Sequence, residues 1–272
     1  MKEEVEVVLA ADETFLKFHE KDENLVVPRG VKRVGVASKI DMKDGCTLMV
    51  TMGMASSQLI SPFLIFKGTF GARLMKEWCE HPTSTVLFTK NHWQTSSTVI
   101  IYLQYLRKLY PTKRVIGLIW DKASSHYSEE VRHYIAQSNQ TVTPKIVVDF
   151  VDPGLTSVYQ PPDVVLNKPL KKAIRSKYEK LMANRFDEQK YQPGKAVAVS
   201  REELVGIVED AYHSINMANN TGEKFIRNSF DMCGLNPWSN DLHAYHKYLE
   251  SLSENGIYKS LLEKNFDRNI SG

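Results

Sequence analysis

The chain has 272 residues, 42% of them hydrophobic and 25% charged, a composition that excludes a disordered or fibrous protein and permits a large core. Its three cysteines are far apart and form no CxxC pair, which argues against a disulfide framework or a structural zinc site. No segment approaches the length of a membrane span, so we expect no membrane association. The formal net charge is only +3, yet residues 168–180 carry six basic residues against one acid.

Short β-rich segments separated by glycine and proline turn signals occupy the first part of the chain. They predict a sheet of meandering strands. The predicted strands cover residues 5–10, 31–38, 47–55 and 62–68.

The middle of the chain alternates strands with helices. Apolar residues at helical spacing predict a helix at residues 96–109, before Pro111. Two apolar runs follow at 115–120 and 145–151, joined through a helix that begins near Ser128. Strands that are apolar on both faces and connected in this way are typical of the covered, parallel part of a sheet, so we predict a mixed α/β core.

A strongly basic helix is predicted to follow Asp163, with Pro169 in its first turn, where a missing N–H is harmless. The apolar side of this helix is separate from its basic side. The apolar stripe consists of Leu166, Leu170, Ile174, Tyr178 and Leu181, and the basic residues are Lys168, Lys171, Lys172, Arg175 and Lys177.

Helices are also predicted beyond a polar break at 187–199. Ser200 and Glu203 form a capping-box pattern, and a further helix at 221–233 stops at Gly234. We therefore expect a core over 1–185, a C-terminal helical part of the same domain over 186–240, and a helical or flexible tail over 241–272.

Three aspartates stand where a strand ends or a helix begins, namely Asp12, Asp121 and Asp163. The carboxyl ends of neighbouring parallel strands meet in one crevice, where carboxylates repel unless a divalent cation offsets their charge. Two such ions can activate an attacking oxygen and stabilise a leaving oxygen, while a basic helix holds a polyanion. The pattern is compatible with a metal-dependent nuclease.

Each of these features also has a purely structural interpretation. Asp163 taken alone is more often a helix N-cap, and a basic helix face is usually a solvated surface. Asp149 is a rival carboxylate on a predicted sheet face. His126, close to Asp121 in the sequence, is expected to be a structural histidine with satisfied hydrogen bonds.

Four motifs in order carry a resemblance to a known family. They are ADETFLKF at 11–18, LIWDKASSH at 118–126, DPGLTSVYQPPDVVLNKPLKKAIRSKYEKLM at 152–182 and EDAYHSINMANNTGEKFIRNSFDMCGLNPW at 209–238. Over roughly residues 5–240 the chain resembles the DDE superfamily endonuclease domain of pogo/Tigger-type, mariner-like transposases and of proteins derived from them. The third motif is the strongest match, because the final acid of that family lies in a Gln-Pro-x-Asp turn followed by an Asn-Lys-Pro-like helix start.

The resemblance implies an RNase H-like fold. It also implies that Asp12, Asp121 and Asp163 form the catalytic triad and bind two metal ions, either Mg²⁺ or Mn²⁺. It implies cleavage of DNA phosphodiester bonds at transposon ends and then attack of the freed 3′-hydroxyl on target DNA, in the nucleus. A homodimer is possible, and the resemblance leaves the oligomeric state open. The turn residues implied to support Asp163 are Gln160, Pro162 and Asn167, and the implied DNA contacts are Lys168, Lys171, Lys172, Arg175 and Lys177.

Two departures from the family pattern are visible. Many relatives have Asn after the second Asp, whereas Lys122 here would either crowd a metal site or turn outward toward phosphate. Relatives also carry helix-turn-helix DNA-binding domains ahead of the catalytic domain, and since eleven residues precede Asp12, we expect that domain to be absent.

Three functions therefore compete. An active endonuclease or transposase domain ranks first, because all three acids are present. The second is a transposase-derived DNA-binding module with idle catalysis, and the third is an RNase H-like hydrolase of RNA–DNA hybrids.

Overall fold

Residues 5–17, 45–68, 83–187, 199–221 and 224–254 are described by the computed structural model. Outside them lie the predicted strand at 31–38, most of the predicted break at 187–199 and the tail beyond residue 254.

Seven strands are present among the described residues, and they form one sheet. They are β1 (Val7–Lys17), β2 (Gly45–Gly53), β3 (Gln58–Leu59), β4 (Phe63–Lys67), β5 (Thr85–Thr89), β6 (Val115–Asp121) and β7 (Lys145–Val151). Their spatial order is β5-β4-β2-β1-β6-β7, with β3 paired to β2. β1 is therefore central, between β2 and β6, and β7 lies at one edge.

Strand direction changes across this sheet. β2 runs antiparallel to both β1 and β4, whereas β1, β6 and β7 run parallel to one another. β5 is a further parallel partner of β4. A mixed sheet in this order, with helices packed on it, confirms the predicted RNase H-like α/β fold.

Helices connect the later strands and complete the C-terminal part. The described helices are α1 (Ser96–Leu109), α2 (Glu129–Thr141), α3 (Thr156–Tyr159), α4 (Asn167–Asp187), α5 (Arg201–Thr221), α6 (Phe225–Met232) and α7 (His243–Glu254). The bounds predicted for α1 are confirmed. The helix predicted at 221–233 begins only at Phe225, because α5 continues to Thr221. None of the helices in the described ranges combines the length and apolar character that crossing a membrane requires.

The side chains of β1 alternate between two buried cores, because successive residues of a strand face opposite sides of the sheet. Val8 and Ala10 belong to a cluster with residues of α4 and α5, while Leu9 and Ala11 belong to a second cluster with residues of α1 and α2. Burying each large apolar side chain stabilises the fold by about 1.5–3 kcal/mol. The same alternation decides which face each polar residue in the middle of β1 occupies.

β7 differs in one respect from its prediction. Its parallel pairing with β6 is confirmed, but the strand is not covered on both faces. Val147 is 44% exposed, and Asp149 is also exposed. Since β7 is an edge strand, its apolar residues on one side remain in contact with solvent.

The basic helix begins with one turn of π-helix, Pro162–Leu166, which leads directly into α4. Pro169 lies in the first turn of α4, but the π-helical turn precedes it, so the helix as a whole begins one turn earlier than predicted. Leu166, Leu170 and Ile174 are buried, and the two remaining members of the predicted apolar stripe pack against the same cluster. The predicted amphipathic character is confirmed, and it leaves the basic side of α4 facing solvent.

Candidate functional site

Asp12 and Asp121 lie at the same level of neighbouring parallel strands. Asp121 ends β6 as predicted, but Asp12 does not close β1, which continues to Lys17 instead of ending near residue 10, because the strand remains paired with β2 beyond that point. The register pairs Ala10 of β1 with Ile119 of β6, and Asp12 and Asp121 follow two residues later on each strand. Residues two apart on a strand share a face, and Ala10 and Ile119 both belong to the cluster with α4 and α5. Strand alternation therefore starts both side chains on the side that contains α4, where Asp12 contacts Asn167, while Asp121 Oδ1 contacts His126.

Asn167 joins the third acid to the first. Asn167 Nδ2 lies 2.8 Å from Asp12 Oδ2 and 2.7 Å from Asp163 Oδ1, so one amide group donates to both carboxylates. Asp163 and Asn167 lie one helical turn apart and face the same side. The N-cap interpretation of Asp163 is wrong, because Pro161 occupies the cap position and makes no side-chain cap hydrogen bond.

Gln160 fastens the turn that carries Asp163 to the strand that carries Asp12. Its side chain is fully buried, and Nε2 donates to the backbone carbonyl of Ala11 over 2.9 Å. The backbone carbonyl of Gln160 in turn accepts from the N–H of Asp163. Pro162, also buried, opens the π-helical turn. Gln160 and Pro162 thus lie where a supporting role requires them.

The electrostatic environment of Asp12 disfavours its ionised form. Burial raises the pKa of Asp12 to about 7, and the negative charges of Asp163 and, to a smaller extent, Asp121 act in the same direction. The Asn167 amide and the backbone N–H of Glu13 lower the pKa but only partly offset the increase. A divalent cation beside these carboxylates would remove the repulsion and favour the ionised form.

The donor set fits a hard cation. Besides the three carboxylates, Asn167 Oδ1 and Gln160 Oε1 are buried oxygens without a hydrogen-bond donor among the described residues. Mg²⁺ prefers oxygen ligands and needs few protein ligands, because it retains several waters. In the described part of the chain, no three His, Cys, Asp or Glu side chains already have the spacing of a metal site, and Asn167 Nδ2 instead lies between Asp12 and Asp163.

His126 contacts both strands from the opposite side of the sheet. The ring is 1% exposed and stacks on Trp120, with 3.8 Å between ring centroids. Nδ1 lies 2.7 Å from Asp121 Oδ1, and Nε2 lies 2.7 Å from Glu13 Oε1. Burial alone would lower the pKa of His126, but the carboxylates of Asp121 and Glu13 outweigh burial and raise it to about 9.

Glu13 and Gln94 are residues of this cluster that the sequence did not single out. Gln94 Oε1 accepts from His126 Nε2, although 32 residues separate them. Glu13 follows Asp12 directly, and strand alternation places it on the opposite face of β1. Its position next to Asp12 could therefore have indicated a second polar contact on that face. Gln94 had no such signal, because it lies in an irregular segment before α1.

Lys122 turns away from the carboxylates. Its Nζ lies 3.1 Å from Asp152 Oδ1 and 5.0 Å from the centre of the Tyr127 ring. Of the two alternatives open for Lys122, crowding of the metal site is therefore wrong, and the side chain points outward. Asp149, the rival acid, lies opposite Ile119 on the exposed strand β7.

The predicted DNA-contact residues of α4 divide into two groups. Lys168, Lys171 and Lys172 are exposed. Arg175 instead lies 3.0 Å from Glu179, and Lys177 lies 3.9 Å from Asp210 of α5. The lysines at the start of the helix are therefore the better placed to bind phosphate, and they lie within two turns of Asn167.

A protein-family model described as "DDE superfamily endonuclease" matches residues 43–223, well over half of the chain. Asp121, Asp163, Asn167 and the basic side of α4 fall inside the matched range, and Asp12 lies ahead of it. No curated protein matches the chain.

The solved structures that the chain matches include complexes of the Mos1 transposase. The Mos1 strand transfer complex has a TM-score of 0.47 and 14% identity, covering 83% of this chain and 51% of the Mos1 chain. The Mos1 mariner paired end complex with Mn has a TM-score of 0.40 and 14% identity, covering 79% and 55%. The corresponding complex with Mg has a TM-score of 0.37 and 17% identity, covering 77% and 56%. The chain thus spans about half the length of these transposase chains.

Proposed function

This chain belongs to the DDE superfamily of endonucleases, and we propose that it is a transposase-type domain of the pogo/Tigger kind that cleaves DNA phosphodiester bonds and joins strands with the help of divalent metal ions. The observation that carries the proposal is the contact of Asp12 and Asp163 through Asn167, level with the carboxyl end of β6 and beside the basic side of α4. DNA as substrate also makes the nucleus the proposed location.

Asp12, Asp121 and Asp163 would hold the metal ions, either Mg²⁺ or Mn²⁺. When bound, a pair of such ions lowers the pKa of an attacking water or hydroxyl and stabilises the charge on the leaving oxygen. Asn167 and Gln160 orient the carboxylates, Asn167 through its shared amide and Gln160 through the Ala11 carbonyl. Pre-organisation of this kind matters because a small misplacement of reacting groups reduces the rate sharply.

The exposed lysines of α4 bind and orient the DNA backbone next to these acids. Lys168, Lys171 and Lys172 contribute charge without reading bases, so binding is sensitive to salt and indifferent to sequence. A phosphodiester held there can react with either of two oxygens. In hydrolysis, water attacks the phosphorus, a new P–O bond forms, and a strand with a free 3′-hydroxyl is released. In strand transfer, a 3′-hydroxyl attacks the phosphorus instead and a different 3′-oxygen leaves, so the number of phosphodiester bonds is conserved.

A supercoiled-plasmid nicking assay with Mg²⁺ or Mn²⁺ tests the proposal. We expect nicking by the wild-type protein and a loss of at least about 100-fold in Asp121→Asn, because a carboxylate that acts in the reaction is removed. Asp149→Asn, on the exposed face of β7, is the matched control and should nick like the wild type. Nicking that survives Asp121→Asn in a folded protein would overturn the proposed role of the acids.

A second candidate is a DNA-binding module without catalysis. The observation in its favour is the absence of a formed three-acid metal site within the described ranges. This candidate predicts salt-dependent DNA binding by α4 without metal-dependent nicking. The same plasmid assay, combined with a DNA-binding measurement, therefore separates the two functions.

A further inference from the structure

His126 lies in the turn that follows β6, where its backbone N–H donates to the carbonyl of Ala123 over 3.0 Å. Trp120 covers one face of the imidazole ring, which fixes the plane of the ring. The side chain is almost completely buried. A histidine held in this way has one orientation, and its two nitrogens have different partners.

Among the residues that the structure describes, the Nδ1 side of the ring has its polar contacts with Asp121. Nδ1 lies 2.7 Å from the carboxylate oxygen Oδ1 and 3.1 Å from the backbone carbonyl of the same residue. The carbonyl contact has hydrogen-bond geometry, and the carboxylate contact is an ion pair. Both contacts constrain the last residue of β6, which is the position of the second predicted acid.

The Nε2 side of the ring contacts β1 and the segment before α1. Nε2 lies 2.7 Å from Glu13 Oε1 and donates to Gln94 Oε1 as well. Glu13 is the neighbour of Asp12 in the chain but faces the other side of the sheet. His126 therefore links Asp121, the last residue of β6, to Glu13 of β1, while Asp12 faces the side that contains α4.

We propose that His126 is a positioning residue that acts through Asp121: the ion pair at Nδ1, together with the Nδ1 hydrogen bond to the Asp121 backbone carbonyl, holds the Asp121 carboxylate in the orientation needed to bind metal with Asp12 and Asp163. This inference rests on the proposed function. The Nε2 contacts with Glu13 and Gln94 support the fold, and the Nδ1 contact sets metal affinity. Groups that orient metal ligands from behind typically change metal affinity 10–100-fold when they are replaced.

Two variants separate the contributions of the ring nitrogens. His126→Asn retains an amide N–H near the position of Nδ1, and His126→Gln retains one near the position of Nε2. We expect Mn²⁺ affinity, measured by calorimetry, to fall at least about tenfold in His126→Gln and to stay within about threefold of wild type in His126→Asn. The melting temperature without metal should fall in both variants, because both lose the stack on Trp120.

Tyr102→Phe is the matched control for a purely structural effect. Tyr102 is buried on α1, and its hydroxyl lies 2.8 Å from Thr51 Oγ1. Its loss should lower the melting temperature without changing Mn²⁺ affinity. Equal Mn²⁺ affinities in the two His126 variants would overturn the positioning inference while leaving the proposed function intact. Absence of Mn²⁺ binding by the wild-type protein would overturn both.

A measurement on the wild-type protein covers the case in which a variant does not fold. In ¹⁵N-histidine NMR spectra, the Nδ1 resonance of the buried histidine should shift on addition of Mg²⁺, because the carboxylate in ion-pair contact with Nδ1 also binds the ion. If every histidine Nδ1 resonance stays unchanged while calorimetry shows Mg²⁺ binding, the inference is overturned.

Discussion

Asn167 Nδ2 lies 2.8 Å from Asp12 Oδ2, although 155 residues separate them in the chain. The same nitrogen donates to Asp163, so one amide group neutralises part of the repulsion between two carboxylates. In the absence of metal, Asn167 thus stabilises an arrangement that a divalent cation would otherwise stabilise.

We predict that Asn167→Ala is destabilised without metal and gains more from Mg²⁺ than the wild type does. The variant loses the shared donor, which lowers the free energy of unfolding by about 1–3 kcal/mol. Mg²⁺ replaces the lost donor, so the increase in melting temperature between metal-free buffer and saturating Mg²⁺ should be larger. Thermal melting with and without Mg²⁺ measures this difference.

Asn139→Ala is the control for that measurement. Asn139 bonds the backbone of Ile146 on the other side of the sheet, at 2.8 and 2.9 Å. It should lower the melting temperature but leave the Mg²⁺-dependent increase at the wild-type value. An increase no larger in Asn167→Ala than in Asn139→Ala would contradict the prediction.

Gln160→Ala should weaken both the fold and the metal site. The change leaves the Ala11 carbonyl without the Gln160 donor, which reduces the free energy of unfolding by about 1–3 kcal/mol. Since Gln160 also fastens the turn before Asp163, Mn²⁺ affinity measured by calorimetry should fall as well. Ser138→Ala, which removes a buried acceptor of Arg107, should reduce stability only. Wild-type Mn²⁺ affinity in Gln160→Ala would show that the turn is held by other contacts.

The double variant Lys171→Gln/Lys172→Gln should bind DNA more weakly and with less dependence on salt. Each lost phosphate contact lowers the slope of log affinity against log salt by about 0.9, so the slope should fall by about 2. Fluorescence anisotropy at several salt concentrations gives this slope. Lys177→Gln, whose ammonium lies 3.9 Å from Asp210, is the control and should change the slope much less. An unchanged slope in the double variant would exclude these lysines from the DNA interface.

Lys122→Asn introduces the residue that many relatives have after the second acid. Because Lys122 points to Asp152 and not to the carboxylates, we expect unchanged Mn²⁺ affinity and a stability change below about 1 kcal/mol. Calorimetry and thermal melting measure the two quantities. A gain of tenfold or more in Mn²⁺ affinity would mean that the lysine does restrict the site.

Sequence patterns anticipated the elements of the fold well, because each pattern is local. Strand and helix periodicities predicted β2, β4, α1 and the strands on either side of α2, and the capping box at Ser200 and Glu203 is present. The motifs also pointed to Asp12, Asp121 and Asp163 as a group, through their positions at the ends of predicted elements. These features depend on residues within one or two turns of each other.

The outward direction of Lys122 and the exposed face of β7 required the tertiary structure. Lys122 follows Asp121 directly, yet its orientation depends on Asp152, 30 residues away. The sequence of β7 is an apolar run, which predicts a strand buried on both faces. Its position at the edge of the sheet nevertheless leaves Val147 exposed. Neighbouring residues in the sequence do not determine which strand ends the sheet.

The sequence by itself determined the amphipathic helix behind Asp163 and the class of fold, and it predicted Asp12, Asp121 and Asp163 as a group, because short-range periodicity and motif spacing encode these features. Only the tertiary structure decided that Asn167 joins Asp12 to Asp163, and that His126 joins Asp121 to Gln94 and to Glu13, which lies 113 residues before His126. These contacts arise from strand register and from the packing of α4 on the sheet. Such long-range relations are properties of the packed chain, and no local pattern specifies them.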